Sequence, residues 1–257
     1  MLQLFRRLLG IPPARPLVDE SQWRRVEARL PFLDHLVPDD RLRLREMALA
    51  FLGCKEFHGA QGLELDDDML LAIALQAGLP VLHIGLQAYE GWVGVIVYPG
   101  DFLIPRRIVD EAGVLHEYED EVLGEAWAGG PVLLSWFPGN DAPAGVNVVI
   151  HEFAHKLDME NGDVDGLPRL RPGMSRRDWA KAFGEAYEAF CAEVDRGIDT
   201  TIDPYGAEHP GEFFAVVSEV FFEDPLVLHR RFPAVYDQLV HFYGMDPAAR
   251  AAAAAGG

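Results

Sequence analysis

From Ser21 onward, apolar residues recur at helical spacing. Trp23, Val26, Leu30, Phe32 and Leu33 form one stripe, with Pro31 placed to break or end it. Asp39 or Asp40 is the expected N-cap of a second helix carrying Leu42, Leu44, Met47, Ala48 and Phe51. A third run, Asp67 to Gln76, stops at Gly78. The pattern then changes. The segments 80–86 (PVLHIGL), 92–104 (WVGVIVYPGDFLI) and 131–137 (PVLLSWF) are rich in Val, Ile, Leu and aromatics, are bounded by Gly and Pro, and read as strands. Between them, residues 113–125 carry Glu117, Glu119, Asp120, Glu121 and Glu125 without clear period. A short strand or an acidic loop fits, as a solvated face rather than a metal site. Helical periodicity returns near 143–159, 176–194, 210–223 and 233–244. Helices, a small sheet and helices again predict an α+β fold.

The ends behave differently. Pro12, Pro13 and Pro16 make residues 1–18 an N-terminal arm, expected to fray or pack loosely. Its uncharged stretch, Leu8 to Pro13, is too short for the apolar core of a signal peptide. Residues 19–247 are expected to form one domain, and the alanine-rich 248–257 a frayed tail. The chain of 257 residues holds 22 Lys and Arg against 41 Asp and Glu, a formal charge of −19. So acidic a surface repels phosphate backbones and argues against a nucleic-acid partner. Its 49% hydrophobic content excludes an acidic disordered chain. Two distant cysteines, Cys54 and Cys191, suit a reducing compartment, and no apolar stretch suits a membrane span. A cytoplasmic protein is the expectation.

Chemistry concentrates in 145–163, GVNVVIHEFAHKLDMENGD. His151 and His155, four apart on a helix, share one face and can bind one Zn²⁺. Glu152, about 100° around the helix, stands beside such an ion, where it can take a proton from the water the ion activates. Val148, Ile150, Phe153, Ala154 and Leu157 supply a buried setting, Asp141 an expected cap, and Gly162 the stop. Two buried imidazoles beside a buried carboxylate are costly without a metal. A third ligand is then required. The HExxHxxGxxH spacing fails, because Asp158 and Asn161 stand where Gly and His would be needed. A carboxylate on a second helix is the remaining route. Glu212, which opens the apolar segment Phe213-Phe214-Ala215-Val216-Val217, competes there with Glu219, His209 and Asp163. Asp158, near the end of the first helix, is a candidate acceptor for a ligand imidazole N–H.

HEFAHKLD, followed 57 residues on by Glu-Phe-Phe-Ala with Tyr205 seven residues before that Glu, resembles the Mlc titration factor A family. This family comprises bacterial, cytosolic, zinc-dependent gluzincins related to the anthrax lethal factor catalytic domain. The likeness extends through QGLEL (61–65), IVYPGDF (96–102), GPVLLSW (130–136) and YGAEHPGEFFAVVSEVFFEDP (205–225). It implies a zincin-like fold and one Zn²⁺ per chain on His151, His155 and Glu212. It further implies Glu152 as general base and later acid, with Tyr205 donating its hydroxyl to the oxyanion. By the same resemblance the expected activity is peptide hydrolysis of aminopeptidase-like type, and an expected partner is an Mlc-like sugar-responsive transcriptional repressor. A protein that only titrates that repressor is the competing expectation, although it would have no need of Glu152. A peptide substrate is expected to pair along the strand at 131–137.

Overall fold

The computed structural model describes residues 18–109, 115–137 and 145–255. Helix α1 (Glu20–Glu27) begins at Asp19, whose carboxylate accepts from the Gln22 N–H, and buries Trp23 and Val26. Pro31 opens a separate 3-10 turn, Pro31–His35, after that helix has ended. Helix α2 spans Pro38–Cys54. Asp39 and Asp40, expected as caps, lie in its first turn, and Val37 holds the cap position without a side-chain bond. Helix α3 (Asp67–Gly78) is capped by Asp66 and is buried on nearly every side, which is why its apolar residues show no single stripe.

Proline placement explains the C-terminal half. Helices α6 (Pro210–Glu223), α7 (Pro225–Arg231), α8 (Pro233–Tyr243) and α9 (Pro247–Ala255) each start on a proline, as α2 does. The missing N–H is harmless at a first helical position and the fixed φ is already helical. Residues that punctuate a sequence reading are therefore starts, and α7 is a helix the periodicity did not reveal. The alanine run, expected to fray from residue 248, is helical through Ala255. Ala248 is buried, and its N–H donates to the Tyr236 hydroxyl at 2.8 Å. Between these elements lie α4 (Val148–Asp158) and α5 (Arg176–Val194).

Six strands make two sheets among the described residues. β1 (Glu56–Gly59), β2 (Gly94–Tyr98) and β6 (Val132–Ser135) run parallel, and β5 (Gly124–Ala126) closes the sheet antiparallel to β6, in the order β1-β2-β6-β5. β3 (Phe102–Val109) and β4 (Leu115–Val122) form a separate antiparallel ribbon, so the acidic run includes a paired strand. The segment 80–86 is not a strand. Pro80 ends α3, and the chain winds through turns closed by Ile84 N–H to Val81 O and Gly85 N–H to Val81 O. Val81 and Leu82 are apolar because they are buried, at 0 and 1% exposure. Conversely β1, with the sequence Glu-Phe-His-Gly, has no strand signature and exists through its pairing with β2. The result is mixed α+β, mostly helical, with a small mixed sheet. No helix among the described residues is long and apolar enough to cross a membrane.

Two aromatic clusters hold the helices that matter. Phe153 of α4 lies 5.1 to 5.8 Å, ring centre to ring centre, from Tyr89, Phe51 and Trp92. Phe213 and Phe214 of α6 pack among Phe183, Phe190, Phe232 and Phe242. Phe153, Phe213 and Phe214 are each at most 1% exposed. Edge-on and tilted contacts of this kind fix helix rotation as well as burying area.

Candidate functional site

Helix α4 packs against α6, α3, β5 and β6. Asn147 sets its start: the side-chain oxygen accepts from Ile150 N–H at 2.9 Å. The expected cap, Asp141, lies outside the described residues. Phe153 anchors one side of α4, and the opposite side presents His151, Glu152 and His155 to a cavity of about 600 Å³. From α6, Phe213 and Phe214 anchor the helix while Glu212 reaches the same cavity.

Three of the expected site residues converge. Glu212 Oε2 is 3.0 Å from His151 Nε2 and 3.1 Å from His155 Nε2, and the two Nε2 atoms are 3.1 Å apart. Ligands held about 2.0–2.1 Å from a tetrahedral zinc lie about 3.3 Å from one another, so this triangle fits such an ion closely. Together they form a set able to hold a metal. Electrostatics agrees. Burial alone would depress His151, but hydrogen bonds to Glu212 and Glu219 outweigh it and hold the imidazole well above its ordinary range. Burial opposes ionisation of Glu212 too, yet the two imidazoles pull its carboxyl far below the usual range. The imidazole and the carboxylate thus stabilise one another's charges across the triangle.

Glu152 is 4% exposed, and its Oε2 has no hydrogen-bond partner among the described residues. Burial pushes its carboxyl up to about 8, against the pull of His151. Gly124 of β5 lies directly against it: a Cβ there would come 2.5 Å from Glu152 Oε1. Tyr205 sits on the 3-10 turn Pro204–Ala207, started by Asp203, and also lines the cavity. It is 45% exposed, with its ring centre 6.1 Å from that of His151.

The other candidates fall elsewhere. Glu219 accepts from the far nitrogen of His151, with 2.7 Å between Oε1 and Nδ1. His209 is the N-cap of α6, its Nδ1 taking the Gly211 N–H at 3.1 Å, and Asp163 is an exposed loop residue. Asp158 does not bond an imidazole. Its Oδ2 accepts from Gly166 N–H at 2.8 Å, and burial pushes the carboxyl up to about 6. The strand at 131–137, expected to receive a peptide, is interior: β6 is paired with β2 on one side and β5 on the other. The strand lining the cavity is β5, which pairs only with β6 among the described residues. Two contributors were missed. The glycine in Leu-Gly-Glu gives no sign of its contact with a residue 28 positions on. Asn147, just before an apolar helix, could have been found as a cap.

Apart from the two imidazoles, the charge-bearing side chains around the cavity are acidic. Glu125, Asp203 and Glu208 join Glu152, Glu212 and Glu219, and no lysine or arginine lines it among the described residues. Lys156, beside His155 in sequence, turns away, donating to Trp127 O and Gly130 O at 2.6 and 2.8 Å. It thereby ties the turn after β5 to α4.

Comparison with known proteins agrees with this chemistry. Residues 7–244 match the family described as glucose-regulated metallo-peptidase M90. A protein of Klebsiella pneumoniae (strain 342) named Mlc titration factor A is 37% identical over 236 residues, covering 90% of this chain and 88% of its own. The protein of that name from Escherichia fergusonii is 36% identical, covering 91% and 90%. The one from Salmonella arizonae is 35% identical, covering 92% and 96%. With near-complete coverage of both partners, this chain belongs to the glucose-regulated metallo-peptidase M90 family.

Proposed function

We propose that this protein is a cytoplasmic, zinc-dependent peptidase of zincin-like fold, acting on the amino-terminal end of peptides. The convergence of His151, His155 and Glu212 beside the buried Glu152 carries the reading. When bound on those three side chains, zinc supplies Lewis acidity, polarising a carbonyl and acidifying a water. The protein's own groups do the rest. Glu152 takes the proton of the attacking water and later returns it to the departing amine, a role suited to a buried carboxylate beside the three candidate ligands. Tyr205, on the cavity rim, donates its hydroxyl to the oxygen that gains charge. An extended substrate pairs with β5, whose backbone borders the cavity. The acidic side chains that line the cavity, with no lysine or arginine beside them among the described residues, favour a positively charged end, which a free α-amine provides.

The relatives' name supports a second role, binding of an Mlc-type transcriptional repressor. An intact Glu152 favours retained hydrolysis alongside it. Metal analysis of the purified protein, with a chromogenic aminoacyl substrate assayed with and without chelator, tests the main reading. Expected are about one zinc per chain and chelator-sensitive release. Zinc-free protein, or turnover indifferent to chelator, would overturn it. Activity on N-acetylated substrates equal to that on free amines would remove the aminopeptidase part.

A further inference from the structure

The two imidazoles of the site are not held alike. His151 Nδ1 is 2.7 Å from Glu219 Oε1, with both residues buried. His155 Nδ1 is buried with no hydrogen-bond partner among the described residues. Glu219 is itself fixed. Its Oε2 accepts the backbone N–H of Asn147 at 2.6 Å. The Asn147 side chain donates to Gln76 Oε1 at 2.9 Å and to Glu223 Oε1 at 2.8 Å. One residue therefore joins the start of α4 to α3 and to α6, and delivers a carboxylate to the outer nitrogen of a site imidazole.

The chemistry of these contacts is directional. A backbone N–H can only donate, so Glu219 Oε2 must accept. Oε1 of the same carboxylate then faces His151 Nδ1 at 2.7 Å, and an ionised carboxylate there accepts from an Nδ1–H. His151 keeps its Nδ1 proton toward Glu219, and Nε2 is the nitrogen left to face Glu212 and His155.

We propose that Glu219, braced by Asn147, is a positioning residue that presets the ring of His151 for a metal ion. The proposal rests on the zinc reading above and deepens it. Glu219 acts through His151 and does not ligate. Because both of its partners are donors, the side chain must accept twice. In Glu219→Gln one oxygen becomes an NH₂, so one of the two contacts turns donor against donor.

The experiment is zinc competition against a chromogenic chelator, on the full chain and its Glu219→Gln variant, with circular dichroism to establish folding. A dissociation constant raised about 10–100-fold in a folded variant is expected. A constant unchanged from wild type overturns the positioning role while leaving the zinc site standing. A wild-type chain that binds no zinc overturns both readings. Should the variant not fold, ¹⁵N-histidine long-range correlation spectra of the zinc-loaded wild type decide the matter. His151 protonated on Nδ1 and metal-bound through Nε2 supports the proposal, and the reverse pattern ends it.

Discussion

On the helical side of the cavity, His151, Glu152, His155 and Glu219 are 8, 4, 6 and 4% exposed, and each helix bearing them is pinned by fully buried phenylalanines. Across from them the cavity is bounded by β5, three residues long, and by a single 3-10 turn whose Tyr205 is 45% exposed. The difference is physical. Groups that must meet within tenths of an ångström stand where packing and hydrogen bonds over-determine them. The groups proposed to meet a substrate stand on a short strand and a single turn at the cavity rim. Gly124 is where the two sides touch, and it has no side chain.

Removing the base tests the helical side. Glu152→Gln should lower kcat by about 10²–10⁴-fold while leaving zinc content near one per chain, because the amide cannot take the proton. Steady-state kinetics with metal analysis checks both halves, and a variant of undiminished kcat would leave Glu152 without its role. On the open side, Tyr205→Phe removes one donor to the developing charge. It should cost about 10²-fold in kcat with KM little changed, and an effect confined to KM would make Tyr205 a binding residue instead. Gly124→Ala joins the two. A methyl group 2.5 Å from Glu152 Oε1 must push the carboxylate aside. About tenfold loss of kcat is expected, with a stability cost of about 1–3 kcal/mol, measurable by denaturant unfolding beside the kinetics.

What was legible in the sequence follows the same division. The two histidines and Glu152 could be placed from spacing alone, since residues four apart on a helix share a face whatever surrounds them. Glu212 and Glu219 could not be separated that way. They lie seven residues apart, two turns along one stripe. Their roles differ because α6 crosses α4 so that one carboxylate meets Nε2 of His151 and the other Nδ1, a fact of tertiary packing. β1 was missed, and the turns at 80–86 were misread, for a related reason. Burial makes a segment apolar, and pairing makes it a strand, but only the first leaves a mark in composition. The starts at Pro210 and Pro233 were legible, whereas the short helix from Pro225 was missed because one helix ends only two residues before it begins.

The helical side carries one cost that can be relieved without touching the chemistry. Asp158, at the end of α4, is 0% exposed, and its Oδ1 has no hydrogen-bond partner among the described residues. Burial raises its carboxyl to about 6 from 3.8. Between those values the folded protein holds a proton that the unfolded chain has released. Folded stability from this residue is therefore greatest below about pH 4, falls as pH rises toward 6, and is lost above it. Asparagine keeps a carbonyl oxygen for the Gly166 N–H and carries no charge at any of these pH values. Asp158→Asn should thus be stabilised relative to wild type by about 1–3 kcal/mol at pH 7.5, with the advantage shrinking toward pH 4. Denaturant midpoints at the two pH values check the sign. A variant no more stable at pH 7.5 than at pH 4, relative to wild type, would mean that Asp158 is ionised at little cost, and that the end of α4 admits more water than its burial implies.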